Sequence, residues 1–539
     1  MKKNYYIFVT GGVVSSLGKG IIAASLGLLL KKHSYSVTIQ KFDPYLNIDP
    51  GTMNPIQHGE VFVTEDGTDT DLDLGHYERF INQNLSKRNN VTSGMVLWNV
   101  LNNERQGKYL GNTVQIIPHV TNEITKKIKQ LSKEDDYDFI ITEVGGTVGD
   151  IESLPFLESI RQFQYKNKDT CIHIHLTLLP YLETSKEFKT KPTQHSVKEL
   201  REIGIQPNII ICRSKKSFPK SIKQKIAMFC DVDEKHVIAA IDAPSIYNVP
   251  LYIQKESLDT AVLDIFNLKG KEINLDDWKK FNAKLQKKQS PNVIVSIVGK
   301  YTSYSDSYIS IVEALKHSSV QNECHVQINW IDSEILTSEN IHETLKNSSS
   351  ILIPGGFGDR GIDGKILSAK YARENNIPFL GICLGLHIAS IEFSQNVLKL
   401  NDANSTEFDS NTKHPIIQYL PGQENIKKKG GNMRLGAYNC EILADSLLYK
   451  CYQSNRISER HRHRYEFNNN YKEIFEKNGF IISGKNKSSN LVEVIELNNH
   501  PWFLACQFHP EYKSRPQSGH PIFNSFIKAS LKNLKVNEI

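Results

Sequence analysis

The sequence predicts an α/β protein built from two doubly wound parallel-sheet domains. Short apolar runs typical of buried strands alternate with helical patterns over residues 1–267, and the same alternation starts again at residue 293. Between them, residues 268–292 are charged and poor in apolar runs, which is typical of a linker. A chain of 539 residues is also too long for one ordinary core. We therefore expect domains at 1–267 and 293–539, joined by an interdomain linker at 268–292.

Composition narrows the class of protein. Hydrophobic residues make up 39% of the chain and charged residues 23%, as in soluble globular proteins. A formal net charge of +6 is too dilute over this length to indicate nucleic-acid binding. No apolar run approaches the roughly 20 residues that span a bilayer, and the eight cysteines include no Cys-x-x-Cys. We expect a cytoplasmic protein without nucleic-acid or membrane partners, and no removable signal peptide, because only one strand precedes the first glycine-rich turn.

Strands are predicted where apolar runs end at polar or glycine-containing sequence, since an open α/β sheet places its ligands at the carboxyl ends of its strands. In the first domain the candidates are Tyr6–Val9, Val37–Gln40, Phe139–Glu143, His173–Leu179, Ile209–Cys212 and Val237–Ala240. In the second domain they are Val293–Gly299, Ser350–Pro354, Pro378–Cys383 and Trp502–Cys506. Within the linker, an amphipathic helix is predicted at Asp276–Gln289.

The stretch Thr10–Gly20, TGGVVSSLGKG, joins the first strand to a predicted helix. The backbone N–H groups of such a turn and the positive helix end can bind a polyphosphate, and Lys19 adds a full charge. The fit to Gly-x-x-x-x-Gly-Lys-Ser/Thr is imperfect, because five residues separate Gly12 from Gly18 and Gly20 replaces the hydroxyl residue that would hold Mg²⁺. Carboxylates elsewhere must then hold the metal. Taken alone, the stretch could equally be a plain strand-to-helix turn.

A second chemical site is predicted at Gly381–His387, GICLGLH, between a strand and a helical pattern. Glycines two residues before and after a cysteine suit a sharp strand-to-helix elbow, which exposes the thiol and directs the helix N-terminus at it. Near the C-terminus, His509 can act as general base, with Glu511 orienting its imidazole. The turn in Ile353–Gly358 supplies N–H groups for an oxyanion. A lone Cys383 is more often a buried structural residue, but these three elements together favour a nucleophile.

The second domain resembles the class I glutamine amidotransferases. The resemblance implies that Cys383 attacks the side-chain amide of glutamine and releases ammonia through a thioester, while His509 moves protons and Glu511 holds His509. It also implies an oxyanion hole made by the backbone N–H groups of Gly356 and Leu384. The glutamine-binding residues that it implies are Gly356, Leu384, Gly385, Leu386, His387, Glu407 and Arg464. The family usually carries Gln where His387 stands, and we expect this change to affect glutamine affinity more than the chemistry.

Longer motifs resemble the CTP synthase family nearly residue for residue, over about residues 4–530. In the first domain they are TGGVVSSLGKG, KFDPYLNIDPGTMNPIQHGEVFVTEDGTDTDLDLGHYERF, EVGGTVGDIESLPFLE and KTKPTQHSVKELR, and in the second NSTEF, GGNMRLG and ERHRHRYE. The resemblance implies a ligase of pyrimidine biosynthesis that makes CTP from UTP, ATP and the amide nitrogen of glutamine, or from ammonia. It implies a P-loop fold like that of dethiobiotin synthetase for the first, synthase domain.

Converting the 4-carbonyl of UTP to an amine needs a better leaving group than oxide, which phosphorylation by ATP supplies. The resemblance implies ATP contacts at Ser16, Leu17, Gly18, Lys19, Gly20, Ile21, Asp73, Ile241, Asp242 and Ala243. It implies contacts to UTP, and to CTP as feedback inhibitor, at Ser15, Asp150, Ile151, Glu152, Lys189, Thr190, Lys191, Pro192, Thr193, Gln194 and Lys225. We expect Asp73 and Glu143 to hold Mg²⁺, which prefers few carboxylates plus phosphates and waters. Lys41 is expected as a second cation.

The resemblance also implies allosteric activation by GTP near Arg360–Gly364 and the loop Leu420–Gly431, which contains Lys427–Lys429. It implies homotetramers, as dimers of dimers, and filaments. Two alternatives stay open at this point. One is another amidoligase, such as a cobyric acid synthase-like protein, which KTKPTQ and the other long motifs disfavour. The other is an assembly-type or ammonia-only paralogue with impaired glutaminase, which only His387 favours.

Overall fold

The computed structural model describes residues 3–287, 291–420 and 433–537. Contacts divide the chain into two compact units, the first containing Met1–Asp49 and Asp73–Asn282 and the second Pro50–Leu72 and Ala283–Ile539. The boundaries at 267 and 292 therefore stay a prediction. No pattern in the sequence indicated that Pro50–Leu72 packs with the second unit.

The regular elements before residue 287 follow the predicted alternation of strands and helices. The strands are β1 (Tyr5–Gly11), β2 (Val37–Asp43), β3 (Phe62–Val63), β4 (Asp69–Thr70), β5 (Asn90–Thr92), β6 (Phe139–Val144), β7 (Cys171–Leu178), β8 (Tyr181–Leu182), β9 (Glu187–Phe188), β10 (Ile209–Ser214) and β11 (Val237–Ile241). The helices are α1 (Lys19–Lys32), α2 (Pro55–His58), α3 (Asp73–Ile81), α4 (Ser93–Arg105), α5 (Thr121–Glu134), α6 (Leu154–Lys166), α7 (Lys191–Glu202), α8 (Lys220–Cys230), α9 (Val249–Lys255), α10 (Leu258–Ile265) and α11 (Asp276–Leu285).

The first unit is built on a seven-stranded parallel sheet in the order β11-β10-β7-β1-β6-β2-β5. β1 lies at its centre and is buried from Tyr6 to Gly11, so the glycine-rich turn follows the central strand. All six strands predicted here are present. The edge strand β5 was not predicted, because three residues carry too little periodicity.

The predicted helix of the linker packs on the first unit. α11 begins at Asp276 as predicted and ends at Leu285, while residues 288–290, which include the predicted end, lie outside the described chain. Trp278 is 1% exposed, and its Nε1–H donates to Tyr247 O at 2.6 Å. Asn282 donates to the same carbonyl at 2.7 Å. These contacts explain why the first unit extends to Asn282.

The second unit continues the same alternation and then adds antiparallel strands. Its strands after residue 290 are β12 (Asn292–Gly299), β13 (His325–Asp332), β14 (Ser350–Ile353), β15 (Phe379–Ile382), β16 (Ala403–Ser405), β17 (His414–Tyr419), β18 (Arg434–Ile442), β19 (Arg456–His463), β20 (Tyr465–Phe467), β21 (Phe480–Asn486), β22 (Leu491–Leu497) and β23 (Phe503–Cys506). Its helices there are α12 (Ile309–Gln321), α13 (Ile341–Leu345), α14 (Ile362–Glu374), α15 (Leu384–Asn396), α16 (Leu447–Tyr452), α17 (Lys472–Lys477) and α18 (Pro521–Asn537).

Its nine-stranded sheet has the order β13-β12-β14-β15-β23-β22-β21-β18-β19. The first five strands are parallel, and the last four extend the sheet antiparallel. The four predicted strands are β12, β14, β15 and β23, which confirms the α/β class. Among the described residues, no helix is both long and apolar enough to cross a membrane.

The segment Pro50–Leu72 is held in the second unit by arginines of β19. Arg460 Nε lies 2.8 Å from Glu65 Oε2, and Arg462 Nε lies 2.9 Å from Asp69 Oδ1. Arg460 is fully buried, so removing its partner would leave an uncompensated charge. The motif ERHRHRYE therefore contributes internal ion pairs that fix residues 50–72 against the sheet.

Candidate active site

The glycine-rich turn lies at the carboxyl end of β1, in the centre of the first sheet. Gly18 precedes α1 with a φ of 90°, a left-handed conformation that glycine adopts without strain. α1 begins at Lys19, so its first N–H groups have no intrahelical partner. Ser15 and Ser16 are exposed on the same turn. The strand, turn and helix that can bind a polyphosphate are therefore present.

Gly20 leaves room for a carboxylate that packs against it. A Cβ atom at this position would lie 2.4 Å from Asp73 Oδ1, far inside van der Waals contact. Asp73 is the first residue of α3. The carboxylate thus fills the space that a hydroxyl side chain would need, which explains the departure from the usual motif.

Three charged side chains meet beside this turn. Parallel pairing of β2 and β6 places Lys41 opposite Glu143, and Lys41 Nζ lies 3.1 Å from Glu143 Oε1. The same ammonium also hydrogen-bonds Asp73 Oδ2. Tyr77, which the sequence did not single out, donates to Glu143 Oε2 from α3. Lys19 Nζ donates to Gly146 O at 2.5 Å. The predicted cations and carboxylates are therefore gathered at one place.

Burial and charge act differently on the two carboxylates. Burial raises the pKa of Glu143, and Lys41 only partly opposes this. Burial would also raise the pKa of Asp73, but Lys41, His76 and Lys19 outweigh it and lower that pKa. The donor set suits Mg²⁺, which is held by few carboxylates when phosphates supply further ligands. Across the described parts of the chain, no cluster of three or more His, Cys, Asp or Glu side chains is arranged to hold a metal.

A cavity of about 120 Å³ adjoins the turn. It gathers several residues predicted to contact ATP, namely Leu17, Gly18, Ile21, Ile241, Asp242 and Ala243. Arg213, which the sequence did not single out, also lines it, donating to Leu17 O and to Asp242 Oδ1, each at 3.1 Å. Arg213 directly follows a predicted strand, and this position at a carboxyl end is the feature of the sequence that could have indicated a ligand-binding residue.

The segments predicted to bind UTP converge around α7. A Cβ on Gly12 would lie 1.8 Å from Ser196 Oγ, and a Cβ on Gly149 would lie 3.3 Å from Glu199 Oε2. The turns that contain these two glycines, just before Val13 and Asp150, therefore both pack on α7. Lys189 hydrogen-bonds Glu187 and, with Lys225, lowers the pKa of that carboxyl. The remaining residues of this set are Thr190 before α7, Lys191, Pro192, Thr193 and Gln194 in its first turn, and Ile151 and Glu152 on the turn after Asp150.

In the second unit, Cys383 occupies the predicted elbow between β15 and α15. Its backbone has φ 53° and ψ −99°, a strained conformation for a residue with a side chain. A Cβ on Gly381 would lie 2.6 Å from Gly385 O, and one on Gly385 2.5 Å from Ile353 O. Only glycine fits at either position, so the two glycines permit the elbow that presents the thiol.

His509 stands beside Cys383 and is paired with Glu511. His509 Nδ1 lies 2.7 Å from Glu511 Oε1. A Cβ on Gly355 would lie 2.8 Å from His509 Cε1 and 3.6 Å from Cys383 Cβ, so imidazole and cysteine flank one glycine. Burial lowers the pKa of His509, but Glu511 and Cys383 outweigh it and raise that pKa to about 10. The imidazole is therefore protonated at neutral pH, as a proton donor must be.

A cavity of about 480 Å³ opens at Cys383, entirely within the second unit. Segment Pro50–Leu72 forms part of its wall, and Arg462 Nη2 holds that wall by donating to Gly51 O at 2.9 Å. Phe357 and Tyr512 line it as well, and no pattern in the sequence indicated a role for any of these three side chains. Its lining also includes the predicted residues Gly356, Arg360, Cys383, His509 and Glu511.

The predicted glutamine-binding residues fall into two groups. Near the cavity, a Cβ on Gly356 would lie 3.4 Å from Leu384 Cδ2, and Glu407 Oε1 accepts from Gly358 N at 2.8 Å. Burial raises the pKa of Glu407, and Arg464 is close enough to oppose this. Gly385, Leu386 and His387 are buried within α15. Residues 421–431 of the predicted GTP loop, including Lys427–Lys429, lie outside the described residues.

A phosphate-binding turn with adjacent cations and carboxylates, together with a Cys–His–Glu elbow site, defines a glutamine-dependent, ATP-using amidoligase. Residues 5–268 match the family described as CTP synthase N-terminus, and residues 304–529 match Glutamine amidotransferase class-I. The CTP synthase of Clostridium kluyveri is 56% identical over 529 residues, covering 98% of each chain. That of Bacillus subtilis is 54% identical over 528 residues, again 98% of each.

The chain belongs to the CTP synthase family, glutamine-hydrolysing ligases that convert UTP to CTP with ATP. Among solved structures, a Trypanosoma brucei CTPS glutaminase domain with bound acivicin is 40% identical; it covers 44% of this chain and 94% of that one, with a TM-score of 0.42. The full-length relatives do not favour a cobyric acid synthase-like protein, nor an assembly-type or ammonia-only paralogue.

Gly20→Ala should lower CTP formation about 100-fold with either nitrogen donor, since a displacement of about 1 Å at reacting groups costs that much. The new Cβ would displace Asp73. Gly27→Ala is the matched control on α1, because its Cβ would come closest to the methyl groups of Ile39 and Ile81, at 3.0 Å, and these side-chain ends can move. Steady-state rates with ATP varied test this; equal rates for both variants would contradict the role of the close contact.

Glu511→Gln should lower glutamine-dependent CTP formation about 10²–10⁴-fold, the range of general acid–base catalysis, and spare ammonia-dependent formation. Without the carboxylate, the pKa of His509 falls from about 10, so its proton is lost at lower pH. The residual glutamine-dependent rate should therefore decline between about pH 6 and 8. Over the same range His509 of the unmodified chain stays protonated. The exposed Glu473→Gln is the control. An unchanged pH profile would argue against this pairing.

Proposed function

We propose that this chain phosphorylates the 4-oxygen of UTP with ATP in the first unit and aminates that carbon with ammonia made at Cys383 in the second. The observation that carries the proposal is the strained Cys383 elbow beside an imidazole that Glu511 keeps protonated. A structural cysteine has no need of either feature. The array of Lys19, Lys41 and Asp73 at the glycine-rich turn supports the ATP-dependent half.

In the proposed phosphoryl transfer, the first unit mainly positions reactants and neutralises charge. The N–H groups of Ser16–Ile21 hold the ATP phosphates, Lys19 binds the transferring group, and Lys41 is a second cation. Asp73 and Glu143 would hold Mg²⁺, whose charge neutralises phosphate oxygens. The 120 Å³ cavity that contains Ile241–Ala243 receives the adenine.

UTP is proposed to bind along the first turn of α7, where Lys189–Gln194 offer cations, hydroxyls and helix N–H groups to its triphosphate. Ser15, Asp150–Glu152 and Lys225 complete the site. Transfer of the γ-phosphoryl group of ATP to the 4-oxygen gives a phosphate ester and ADP. Ammonia then adds at that carbon, the carbon–oxygen bond breaks, and inorganic phosphate leaves. CTP shares the triphosphate contacts, which accounts for inhibition by product.

In the proposed glutaminase step, the Cys383 thiolate attacks the amide carbon of glutamine. The N–H groups of Gly356 and Leu384 stabilise the oxyanion, and Glu407 and Arg464 bind the amino and carboxylate ends of the substrate. The carbon–nitrogen bond breaks as His509 gives its proton to the leaving nitrogen. Water, deprotonated by the same imidazole, then cleaves the thioester to glutamate.

Regulation and assembly are proposed on separate observations. Arg360 lines the cavity that contains Cys383, which supports GTP acting on glutamine hydrolysis. Trp98, Leu101 and Leu110 are 52%, 57% and 90% exposed, and such apolar exposure supports self-association into the tetramer and filaments of the family. All eight cysteines lie in the described chain and are unpaired, which supports a reducing, cytoplasmic setting.

The decisive assay follows CTP formation from UTP, ATP and Mg²⁺ with glutamine or ammonia as nitrogen donor. Cys383→Ala should abolish glutamine use and retain ammonia use, because only the second unit loses its nucleophile. Cys451→Ala, a half-buried cysteine on α16, is the control and should retain both. Absence of CTP with ammonia in the unmodified chain would refute the synthase assignment. Loss of both activities in Cys383→Ala would refute two separate sites.

A further inference from the structure

A buried carboxamide connects Cys383 to the residue that departs from the family pattern. Gln507 directly follows β23 and is fully buried. Its Nε2 lies 3.8 Å from Cys383 Sγ, and its Oε1 lies 3.0 Å from His387 Nε2. Its backbone N–H donates to Glu493 O at 2.8 Å, which fixes it to the neighbouring strand. The two ends of one side chain therefore contact the nucleophile and His387.

The orientation of the Gln507 amide indicates which ring nitrogen of His387 carries the proton. His387 is 3% exposed, and burial lowers its pKa to about 4, so at neutral pH the ring carries a single N–H. Two acceptors face the ring: the Tyr465 carbonyl, which also accepts from His463 Nδ1 at 3.0 Å, and Gln507 Oε1 at Nε2. An amide oxygen only accepts a hydrogen bond, so the contact between Nε2 and Gln507 Oε1 places the ring proton on Nε2.

The Nε2–H of His387 then donates to Gln507 Oε1, which leaves the amide N–H of Gln507 directed at Cys383 Sγ. An N–H donor stabilises a thiolate, whereas an amide oxygen in the same place would oppose it. The other groups around the sulfur are the Arg462 carbonyl, which is 3.6 Å away and accepts from the thiol, and the His509 imidazole. Gln507 is the neutral donor in this set.

We infer that Gln507 is a further catalytic residue, stabilising the Cys383 thiolate, and that His387 is a positioning residue that holds Gln507 with its N–H toward the sulfur. The inference rests on the proposed glutaminase role of Cys383. It changes the expected effect of the residue at 387: substitution acts on the chemical step, measured by kcat, more than on glutamine affinity.

The test compares His387→Leu with His387→Gln, whose amide can also donate to Gln507 Oε1. His387→Leu should lower kcat with glutamine about tenfold, the loss expected of one hydrogen bond, and change KM less than about twofold. Alkylation of Cys383 by iodoacetamide at pH 7 without glutamine should slow by a similar factor. His387→Gln should retain both rates. His500→Leu removes a histidine bonded to Ala372 O instead and is the matched control.

Gln507→Met keeps the chain length but removes the donor, and it should slow alkylation at least as much as His387→Leu. Because His387 acts through Gln507, the double variant should be no slower than Gln507→Met alone. Additive effects, a raised KM with unchanged kcat, or unchanged alkylation in Gln507→Met would overturn the inference. Thermal unfolding checks that each variant is folded. If His387→Leu does not fold, the rates of His387→Gln and Gln507→Met still test the inference. Failure of the unmodified chain to use glutamine would instead refute the proposed function.

Discussion

The contact between Gly20 and Asp73 is the constraint on which the ATP-side site depends. Because residue 20 has no side chain, Asp73 approaches the glycine-rich turn to within 2.4 Å of where a Cβ would be. From there it forms an ion pair with Lys41. Pairing of β2 with β6 places Lys41 opposite Glu143. A hydroxyl in the turn and a carboxylate above it cannot occupy the same space. The unusual glycine and the carboxylate that packs against it are therefore one adaptation.

Glycines allow close packing in the second unit as well. Gly355 lets His509 and Cys383 approach each other, and Gly381 lets the chain turn sharply enough to present the thiol. Buried arginines supply the other constraint, because Arg462 holds residues 50–72 as a wall of the cavity at Cys383. That wall comes from sequence assigned to the N-terminal domain. The glutaminase site therefore depends on residues far outside the amidotransferase sequence.

The predicted parallel strands are continuous apolar runs that are mostly buried on both faces, whereas the parallel strand β13 is mostly half-buried or exposed and was not predicted. The antiparallel strands β18 and β19 are partly exposed and polar, and β5 has three residues, so none of these three strands showed a clear period. The Cys–His–Glu set was visible because its residues lie in short motifs. Arg213, Tyr77 and Gln507 were not, since their partners are set by register and packing between distant segments. His387 was noticed as a departure, but its contact with Gln507 is tertiary. The domain boundaries stay a prediction.

Transfer of nitrogen from glutamine to the pyrimidine tests the account most directly. The full chain would be given UTP, ATP, Mg²⁺ and glutamine labelled with ¹⁵N in the side-chain amide, and the CTP formed would be analysed by mass spectrometry. The account predicts CTP carrying the label on its exocyclic nitrogen, with one ADP and one phosphate per CTP. Unlabelled CTP, or glutamate formed while UTP stays unchanged, would contradict it.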